Sequence, residues 1–310
     1  MGEAIEVRDL AKRYDRVTAV AGISFSVSAG SVFAFLGPNG AGKTTTVEIL
    51  EGLRRRTSGE VRVLGLDPWD DGGTLHRRIG VIPQDFRFFE KITPREAILY
   101  YRALFGTDVD PRELLAQVDL LDKTNARFDT LSGGQKQKLG LALSLTNRPE
   151  ICFLDEPTTG LDPTARRAIW KVIRDLKSQG RTVFLTTHYL EEAELLSDRV
   201  AVIHHGQIIA AGTPAEIIRA HGRPPRIRIE GPPALADHLA ASLGVTARAE
   251  YGGVEVEVAT PHEILRVLQA AEASGIPWGT VTTVQETLED VFVRLVGRMD
   301  DGALSGEATP

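Results

Sequence analysis

The chain has 310 residues, a net charge of −6, 42% hydrophobic residues and a single cysteine, Cys152. This composition is typical of a globular protein with one large domain or two, and the acidic balance disfavours a protein that coats nucleic acid. One cysteine excludes an internal disulfide framework, and no apolar run reaches the roughly 18 residues of a membrane-spanning helix. The opening residues lack a secretion signal, so we expect a cytosolic protein with no nucleic-acid partner.

Short apolar runs alternate with helical segments along the first two thirds of the chain. A period-two segment near the start predicts a half-exposed antiparallel strand. Nearly continuous apolar runs at residues 31–37, 79–83, 151–155 and 182–187 predict buried parallel strands. Their alternation with helices predicts an α/β fold whose mostly parallel sheet is covered on both faces. Helical patterns dominate residues 85–150, which indicates a helical insertion between two strands.

A domain boundary is predicted where glycine and proline cluster, at residues 212–226. The first domain is therefore expected to span residues 1–215. Residues 224–298 have the order strand, helix, strand, strand, helix, strand, which predicts a small α+β domain of split βαβ type. Residues 299–310 are small, polar and acidic, and we expect them to form a disordered tail.

The sequence GPNGAGKT at residues 37–44 matches the pattern G-x-x-x-x-G-K-[ST] at every position. It directly follows a predicted buried strand and directly precedes a predicted helix, as a phosphate-binding loop does. The glycines let backbone N–H groups surround a phosphate, Lys43 supplies a cation for the outer phosphates, and Thr44 offers a hydroxyl to Mg²⁺. The alternative, a glycine-rich turn with an incidental lysine, is disfavoured by these flanks. The motif predicts a nucleoside triphosphate site.

Two adjacent carboxylates end the apolar run ICFLDEP, at Asp155 and Glu156. Strand ends of a parallel sheet meet at one edge, so both side chains should emerge beside the phosphate loop. Asp155 is predicted to hold Mg²⁺ through its water shell, because Mg²⁺ dehydrates reluctantly. Glu156 is predicted to orient or deprotonate the attacking water. The alternative for Glu156 is an ordinary acid ahead of Pro157.

Two further polar residues follow apolar strands and should reach the same edge. His188 ends TVFLTTH and is a candidate contact to the γ-phosphate and the attacking water. Gln84 follows IGVIP, and its amide could reach Mg²⁺ or water. Taken singly, a structural histidine and a plain loop glutamine are the ordinary alternatives. The agreement of several strand ends favours one shared pocket.

Together these motifs resemble those of ATP-binding subunits of ABC transporters, and the resemblance covers residues 1–215. It includes the signature LSGGQ at residues 131–135 and the sequence GLD at residues 160–162. The resemblance implies a P-loop NTPase fold with an antiparallel β subdomain, a helical subdomain at about residues 85–150, and ATP hydrolysis. It implies that Glu156, His188 and Lys43 are catalytic and that Thr44, Gln84 and Asp155 bind Mg²⁺. The residues implied to bind ATP are Tyr14, which stacks on adenine, and Gly37, Pro38, Asn39, Gly40, Ala41, Gly42, Lys43, Thr44, Thr45, Gln84, Ser132, Gly133, Gly134, Gln135 and Asp162.

The LSGGQ segment contains no acid, base or metal ligand, so it cannot catalyse a reaction alone. The resemblance implies that two copies meet head to tail and that the signature of one caps ATP on the other. Ser132 can donate to the γ-phosphate, and the following helix directs its N-terminus at the anion. A simple helix cap is the alternative. Because the signature and Glu156 are both intact, we expect a homodimer.

Residues 280–297 and 186–208 resemble the corresponding segments of drug-resistance-type exporter ATPases. This implies a separate membrane permease with about six spans, each of about 20 apolar residues. The chain would then lie peripherally on the cytoplasmic face of a bacterial cell membrane. The better candidate for a permease contact is FRFF at residues 86–89, an apolar loop directly after Gln84. For YYRALFG at residues 100–106 we expect core packing, and a permease contact is the alternative. A soluble ABC-family ATPase acting on the ribosome or DNA is the alternative function, disfavoured by the single cassette.

Overall fold

The structure is a computed structural model that describes residues 2–84, 86–250 and 252–306, with side chains up to Met299. The chain divides into two units, Met1–Ala215 and Glu216–Pro310. Within the described residues no helix has both the length and the apolar content that crossing a membrane requires.

The strands and helices follow one another along the chain with short connections. The strands of the first unit are β1 (Glu3–Tyr14), β2 (Val17–Ser28), β3 (Val32–Leu36), β4 (Ser58–Val63), β5 (Ile79–Ile82), β6 (Ile151–Asp155), β7 (Thr182–Thr187), β8 (Arg199–His204) and β9 (Gln207–Gly212). The helices up to the second unit are α1 (Lys43–Leu50), α2 (Gly72–Leu75), α3 (Pro94–Phe105), α4 (Pro111–Gln117), α5 (Gly133–Ser144), α6 (Pro163–Ser178), α7 (Leu190–Leu196) and α8 (Pro214–His221). The elements that follow are β10 (Arg226–Glu230), α9 (Pro233–Leu243), β11 (Ala247–Glu250), β12 (Gly253–Glu257), α10 (Pro261–Ala273), β13 (Val281–Val284) and α11 (Leu288–Gly306).

Two sheets organise the first unit. The larger has six strands in the order β5-β6-β7-β3-β8-β9, and all its pairings are parallel except that of β8 with β9. The smaller is antiparallel, in the order β2-β1-β4. The predicted α/β class with a mostly parallel sheet and an antiparallel β part is confirmed.

The central strands place aromatic side chains on one face and aliphatic side chains on the other, because successive residues of a strand point to opposite faces. Phe33, Phe153 and Phe184 lie on the face towards the antiparallel sheet, and the Phe33 and Phe184 rings are 5.5 Å apart. Phe25 of β2 stacks on Phe33 with a centroid distance of 5.5 Å. The opposite face, with Cys152 among its residues, packs against helices α5 and α6. Both faces of the sheet are thus buried, as the continuous apolar runs predicted.

Helices α3, α4 and α5 form the helical part between β5 and β6, within the predicted range 85–150. Phe86 and Phe88 are partly buried and pack against it, with ring centroids 5.9 and 6.4 Å from that of Phe128. Phe89 remains 68% exposed. The FRFF segment is therefore partly packed against the helical part, where Phe86 fills the space above Gly140, and partly open to solvent.

The second unit contains a four-stranded antiparallel sheet in the order β11-β12-β10-β13. Ile227 and Ile229 of β10 pack with residues of α9 and α10, which cover one face. The order of its elements is the predicted one.

The predicted disordered tail from residue 299 is wrong up to Gly306, where α11 ends. No proline interrupts this segment, so the helical hydrogen bonding can continue. Residues 307–310 lie outside the described part of the chain.

Gly80 of β5 lies where the sheet meets the helical part. A Cβ added there would lie 2.1 Å from the carbonyl oxygen of Ser144 and 3.0 Å from Pro149. We expect Gly80→Ala to lower the free energy of unfolding by at least about 1–3 kcal/mol, because backbone atoms would have to move. Chemical denaturation measures this change.

The matched control is Gly73→Ala, where an added Cβ meets nothing within 4 Å. Its effect should stay within about 1 kcal/mol of zero. Equal effects of the two substitutions would contradict the packing described for Gly80.

Candidate functional site

The phosphate loop connects β3 to α1, and glycine is required at both of its ends. A Cβ on Gly37 would lie 2.2 Å from the carbonyl oxygen of Ile203. Gly42 has a φ of 107°, and a Cβ there would lie 2.4 Å from the carbonyl oxygen of Ala19. Neighbouring strands therefore approach the loop so closely that a residue with a Cβ cannot occupy position 37 or position 42 without a shift of the backbone. Between the two glycines lie Pro38, Asn39, Gly40 and Ala41, and Thr44 and Thr45 follow in the first turn of α1.

Lys43 is only 7% exposed and folds back over its own loop. Its Nζ donates to the carbonyl oxygens of Gly37 at 2.7 Å and Pro38 at 3.2 Å. Burial lowers the pKa of Lys43, and the nearby carboxylates of Glu156 and Asp155 oppose that shift. The ammonium group is therefore held over the loop, where the phosphates of a nucleotide would replace the two carbonyls as its partners.

Asp155, the last residue of β6, lies beside Lys43 at the carboxyl edge of the sheet. Its carboxylate accepts a short hydrogen bond from the Thr186 hydroxyl of β7. Burial raises the pKa of Asp155, the Thr186 bond and Lys43 lower it, and Glu156 raises it further. A partly buried carboxylate of this kind is stabilised in its charged form by a nearby cation.

Glu156 follows in a left-handed backbone conformation, with a φ of 48°. Non-glycine residues rarely adopt this region, at a cost of about 1–3 kcal/mol. Its N–H is held between the carbonyl oxygen and the hydroxyl of Thr186, both at 3.1 Å. The sharp turn directs the carboxylate, which is 8% exposed, along the edge of the sheet.

Three side chains contact one carboxylate oxygen of Glu156, Oε2. Gln84 donates its amide N–H at 2.9 Å, and Thr159 donates its hydroxyl at 3.1 Å. Nδ1 of His188 lies 3.2 Å away, and the imidazole is 43% exposed on its other side. The structure thus brings together Gln84, Glu156 and His188, from the ends of three strands.

Thr186 and Thr159 were not singled out in the sequence. Thr186 is the next-to-last residue of an apolar strand and resembles a core residue there. Thr159 stands just after DEP in a turn, where threonine is common. Both threonines lie close in sequence to predicted site residues. This proximity was the sequence feature that could have indicated their supporting role.

The LSGGQ segment forms the N-terminus of α5. Ser132 caps the helix by accepting from the Gln135 N–H at 3.3 Å, and the Gln135 side chain accepts from the Ser132 N–H at 2.9 Å. A Cβ on Gly133 would meet nothing within 4 Å, whereas one on Gly134 would lie 2.9 Å from Ala165. Among the described residues no hydrogen bond or ion pair joins this segment to the phosphate loop of the same chain. The segment is thus an uncharged helix N-terminus at which Ser132 and Gly133 are exposed.

Two other predicted site residues have local partners. Asp162 caps α6, where its carboxylate accepts from the N–H groups of Thr164 and Ala165, each at 2.9 Å. Tyr14 is half-buried at the end of β1, and the ammonium of Lys12 lies 4.8 Å from its ring centroid. Its ring already makes a cation–π contact on a surface that could also stack on a base.

Asp155 offers carboxylate oxygens, which are ligands of the kind that Mg²⁺ prefers. No group of three or more His, Cys, Asp and Glu side chains suited to a metal occurs in the described parts of the chain. Mg²⁺ commonly binds through one or two carboxylates, with substrate phosphates and water completing its shell. Asp155 is one such carboxylate, and it lies near Lys43 of the phosphate loop.

Glu51, the residue after α1, is a buried acid that sequence reasoning did not identify. It is 4% exposed, and its backbone carbonyl oxygen lies 2.8 Å from Nε2 of His76, within hydrogen-bonding distance. Burial raises the pKa of Glu51 to about 8, and the charges of Asp155 and Glu48 add to this shift. Its position directly after the phosphate-loop helix was the available signal.

Comparisons with known proteins agree in both sequence and fold. The model of the ABC transporter family matches residues 20–159. The Nod factor export ATP-binding protein I of Burkholderia orbicola is 38% identical to this chain, over 95% of the chain and 97% of that protein. The daunorubicin/doxorubicin resistance ATP-binding protein DrrA of Streptomyces peucetius is 36% identical, over 98% of the chain and 96% of that protein.

Solved structures give the same result for the fold. An ATP-binding subunit of an ABC transporter superposes with a TM-score of 0.65 at 29% identity, covering 71% of this chain and 93% of that chain. A dimeric bacterial ABC transporter cassette superposes with a TM-score of 0.60 at 25% identity, covering 67% of this chain and 98% of that chain.

The raised pKa of Glu51 makes the stability of the protein depend on pH. Between its ordinary value of 4.5 and about 8, the folded state binds more protons at Glu51 than the unfolded state. The contribution of Glu51 to stability is therefore lost as pH rises through this range. The amide of Glu51→Gln does not titrate. We expect the variant to gain about 1–4 kcal/mol relative to the wild type between about pH 5 and pH 9.

Denaturant unfolding at several pH values measures this difference. The control is Glu113→Gln, which replaces an exposed glutamate in α4 and should change stability by less than about 0.5 kcal/mol throughout. A Glu51→Gln curve parallel to that of the wild type would show that Glu51 does not titrate in this range.

Proposed function

This chain belongs to the ABC transporter family, and we propose that it is the ATP-hydrolysing subunit of an exporter, which powers a separate membrane permease. The relatives named above are ATP-binding proteins of export or resistance systems and match nearly the whole chain. The observation that carries the proposal for the site is the meeting of Gln84, Thr159 and His188 at one oxygen of Glu156, close to Lys43.

The reaction is in-line attack of water on the γ-phosphate of ATP. Backbone N–H groups of the phosphate loop and the N-terminus of α1 hold the phosphates, and Lys43 stabilises their growing charge. Glu156 orients the attacking water and accepts its proton. His188, with one nitrogen against Glu156 and its other side open, contacts the γ-phosphate. ADP leaves with the electrons of the broken P–O bond.

Mg²⁺, when bound, neutralises charge on the outer phosphates. Asp155 would hold it through its water shell, together with the Thr44 hydroxyl. The Gln84 amide N–H donates to Glu156, so the amide oxygen is the atom that Gln84 offers to the ion. Asp155, at the end of β6, is the one carboxylate of this donor set.

The site is completed by a second copy of the chain. The LSGGQ segment is uncharged, Ser132 and Gly133 are exposed, and the open space at Gly133 permits another chain to approach its backbone. An N-terminus of α5 placed opposite the phosphate loop of a partner would direct Ser132 and the helix dipole at the γ-phosphate. A similar cassette forms dimers. Both halves of the site are present in this chain, which supports a homodimer.

The permease is proposed to dock at a groove near the end of α1. A cavity of ≈ 270 Å³ lies there, and its lining includes Glu51, Leu53, Tyr101 and Phe105. Leu53 is 62% exposed, and Tyr100 and Leu104 of α3 are 54% and 65% exposed. Exposed apolar side chains beside a cavity are typical of a protein interface. Docking here would hold the chain peripherally on the cytoplasmic side of a membrane.

Replacing the proposed catalytic base separates ATP hydrolysis from ATP binding. Glu156→Gln should keep ATP binding, slow hydrolysis by about 100-fold or more, and trap an ATP-bound dimer. The amide keeps the size of the side chain but cannot take up the proton. Steady-state ATPase assays and size exclusion with saturating MgATP measure the two effects.

The control is Glu150→Gln, which replaces an exposed glutamate just before β6, at the opposite end of the same strand. It should hydrolyse ATP like the wild type. A Glu156→Gln variant that stays monomeric with saturating MgATP would contradict the shared site, and one that hydrolyses ATP normally would contradict the role of Glu156.

A charge placed at the proposed docking groove tests the membrane partner. Leu53→Asp should prevent a polytopic membrane protein from co-purifying with the tagged chain in mild detergent, because a charge in an apolar contact opposes docking. Leu265→Asp, at a residue that is 59% exposed on α10, is the control and should leave co-purification intact. Mass spectrometry identifies what is retained. Ribosomal or DNA-repair proteins in place of a permease would favour a soluble ABC-family ATPase and overturn the export proposal.

A further inference from the structure

Glu192 of α7 is a fully buried acid close to the proposed catalytic residues, but it does not line their pocket. It is 0% exposed. Moving a carboxylate out of water is unfavourable unless hydrogen bonds and charges replace the lost hydration. The contacts of Glu192 must therefore replace the hydration that its carboxylate has lost.

Both carboxylate oxygens of Glu192 accept hydrogen bonds. The indole N–H of Trp170 donates to Oε1 at 2.8 Å, and the hydroxyl of Thr158 donates to Oε2 at 3.2 Å. Thr187 also hydrogen-bonds to this side chain. Burial raises the pKa of Glu192, whereas these hydrogen bonds and the charge of Arg166 lower it. An indole N–H only donates, so Trp170 requires an acceptor at this position.

The partners of Glu192 belong to three different segments. Thr158 lies two residues after Glu156, in the turn that follows β6. Thr187 is the last residue of β7 and directly precedes His188. Trp170 lies in α6, which starts at the cap made by Asp162. One buried carboxylate thus joins the turn of Glu156, the strand end of His188 and the helix behind both.

A second set of contacts strengthens the same connection. The N–H of Tyr189 donates to the Thr187 hydroxyl at 2.9 Å, so this hydroxyl links the carboxylate to the chain beyond His188. The guanidinium of Arg166 lies 4.0 Å from the ring centroid of Tyr189. Residues on both sides of His188 are therefore tied to α6 and α7.

We propose that Glu192 is a positioning residue for ATP hydrolysis, whose carboxylate sets the turn carrying Glu156 and the strand end carrying His188 at a fixed separation. This inference rests on the proposed function of the site. A displacement of about 1 Å in a reacting group can cost about 100-fold in rate. Loss of the carboxylate should therefore lower turnover more than it lowers ATP binding.

The first test is Glu192→Met, which keeps an unbranched side chain of similar length without its hydrogen bonds. For the full-length chain with MgATP, we expect kcat to fall by about 10- to 100-fold and KM for ATP to change by less than about 3-fold. Glu192→Gln should keep kcat within about 3-fold, since its oxygen can accept from Trp170 and its amide can donate to Thr158.

Two further variants leave the carboxylate in place and each remove one donor. Thr158→Val and Trp170→Phe should lower kcat in the same way but by less, with little change in KM. In the Glu192→Met background, Thr158→Val should have no further effect on kcat, because the hydrogen bond is already absent. If Glu192→Met does not fold, the kcat values of Thr158→Val and Trp170→Phe show whether this network affects turnover.

The matched control is Val172→Ala in α6. Val172 is 3% exposed, belongs to the adjoining core and makes no side-chain hydrogen bond, so this variant loses stability without disturbing the network. Its kcat per folded molecule should equal that of the wild type. A loss of kcat in Val172→Ala as large as that in Glu192→Met would reduce Glu192 to a structural residue.

Hydrogen exchange gives a readout that does not depend on activity. The N–H groups of Glu156, Thr159 and Tyr189 are hydrogen-bonded within the two segments. Their exchange should accelerate in Glu192→Met and remain slow in Val172→Ala. Unchanged exchange together with unchanged kcat would overturn the inference. Failure of the wild type to hydrolyse ATP, or normal hydrolysis by Glu156→Gln, would instead overturn the proposed function, and exchange would then decide the role of Glu192 alone.

Discussion

The structure of the site depends on the conformation of Glu156. Its backbone lies in the left-handed region, and it is kept there because Thr186, on the neighbouring strand, accepts its N–H. This turn places the carboxylate where Gln84, Thr159 and His188 all reach one oxygen. The backbone conformation of one residue thus determines which side chains from two other strands the Glu156 carboxylate contacts.

The central sheet provides the rigidity that this constraint requires. Its strands are buried on both faces, by an aromatic layer on one side and by helices α5 and α6 on the other. Parallel pairing aligns the ends of β3, β5, β6 and β7 at one edge, which is the arrangement in which open α/β sheets bind ligands. The register of the strands therefore sets the distances between side chains that are far apart in sequence.

Charge is distributed unevenly around this edge. Lys43 lies among Asp155 and Glu156, and burial lowers the pKa of the lysine and raises the pKa of Asp155. Buried groups of opposite charge depend on each other, because each would be costly alone. The same principle applies to Glu192, which lies behind the site and is held by hydroxyl and indole donors. A polar network in the interior therefore lies directly behind the proposed site.

Much of this protein could be predicted from its sequence, because local chemistry carried the signal. Residues 37–44 require glycine and lysine at fixed spacing, and continuous apolar runs predict buried strands whatever their partners. The mostly parallel sheet and the order of elements in the second unit agree with those expectations. The packing of Phe86 was not predicted, because the space above Gly140 that this side chain fills exists only in the folded chain.

Only the tertiary structure decided which side chains meet. Thr186 and Thr159 carry no motif, yet they hold Glu156 in place, and Glu51 and Glu192 resemble ordinary helix-surface acids until burial is known. Desolvation and hydrogen bonding depend on neighbours supplied by distant parts of the chain, so they leave no pattern in a local sequence. The sequence by itself determined the kind of loop and the kind of sheet, and the packing of that sheet determined where each charge is held.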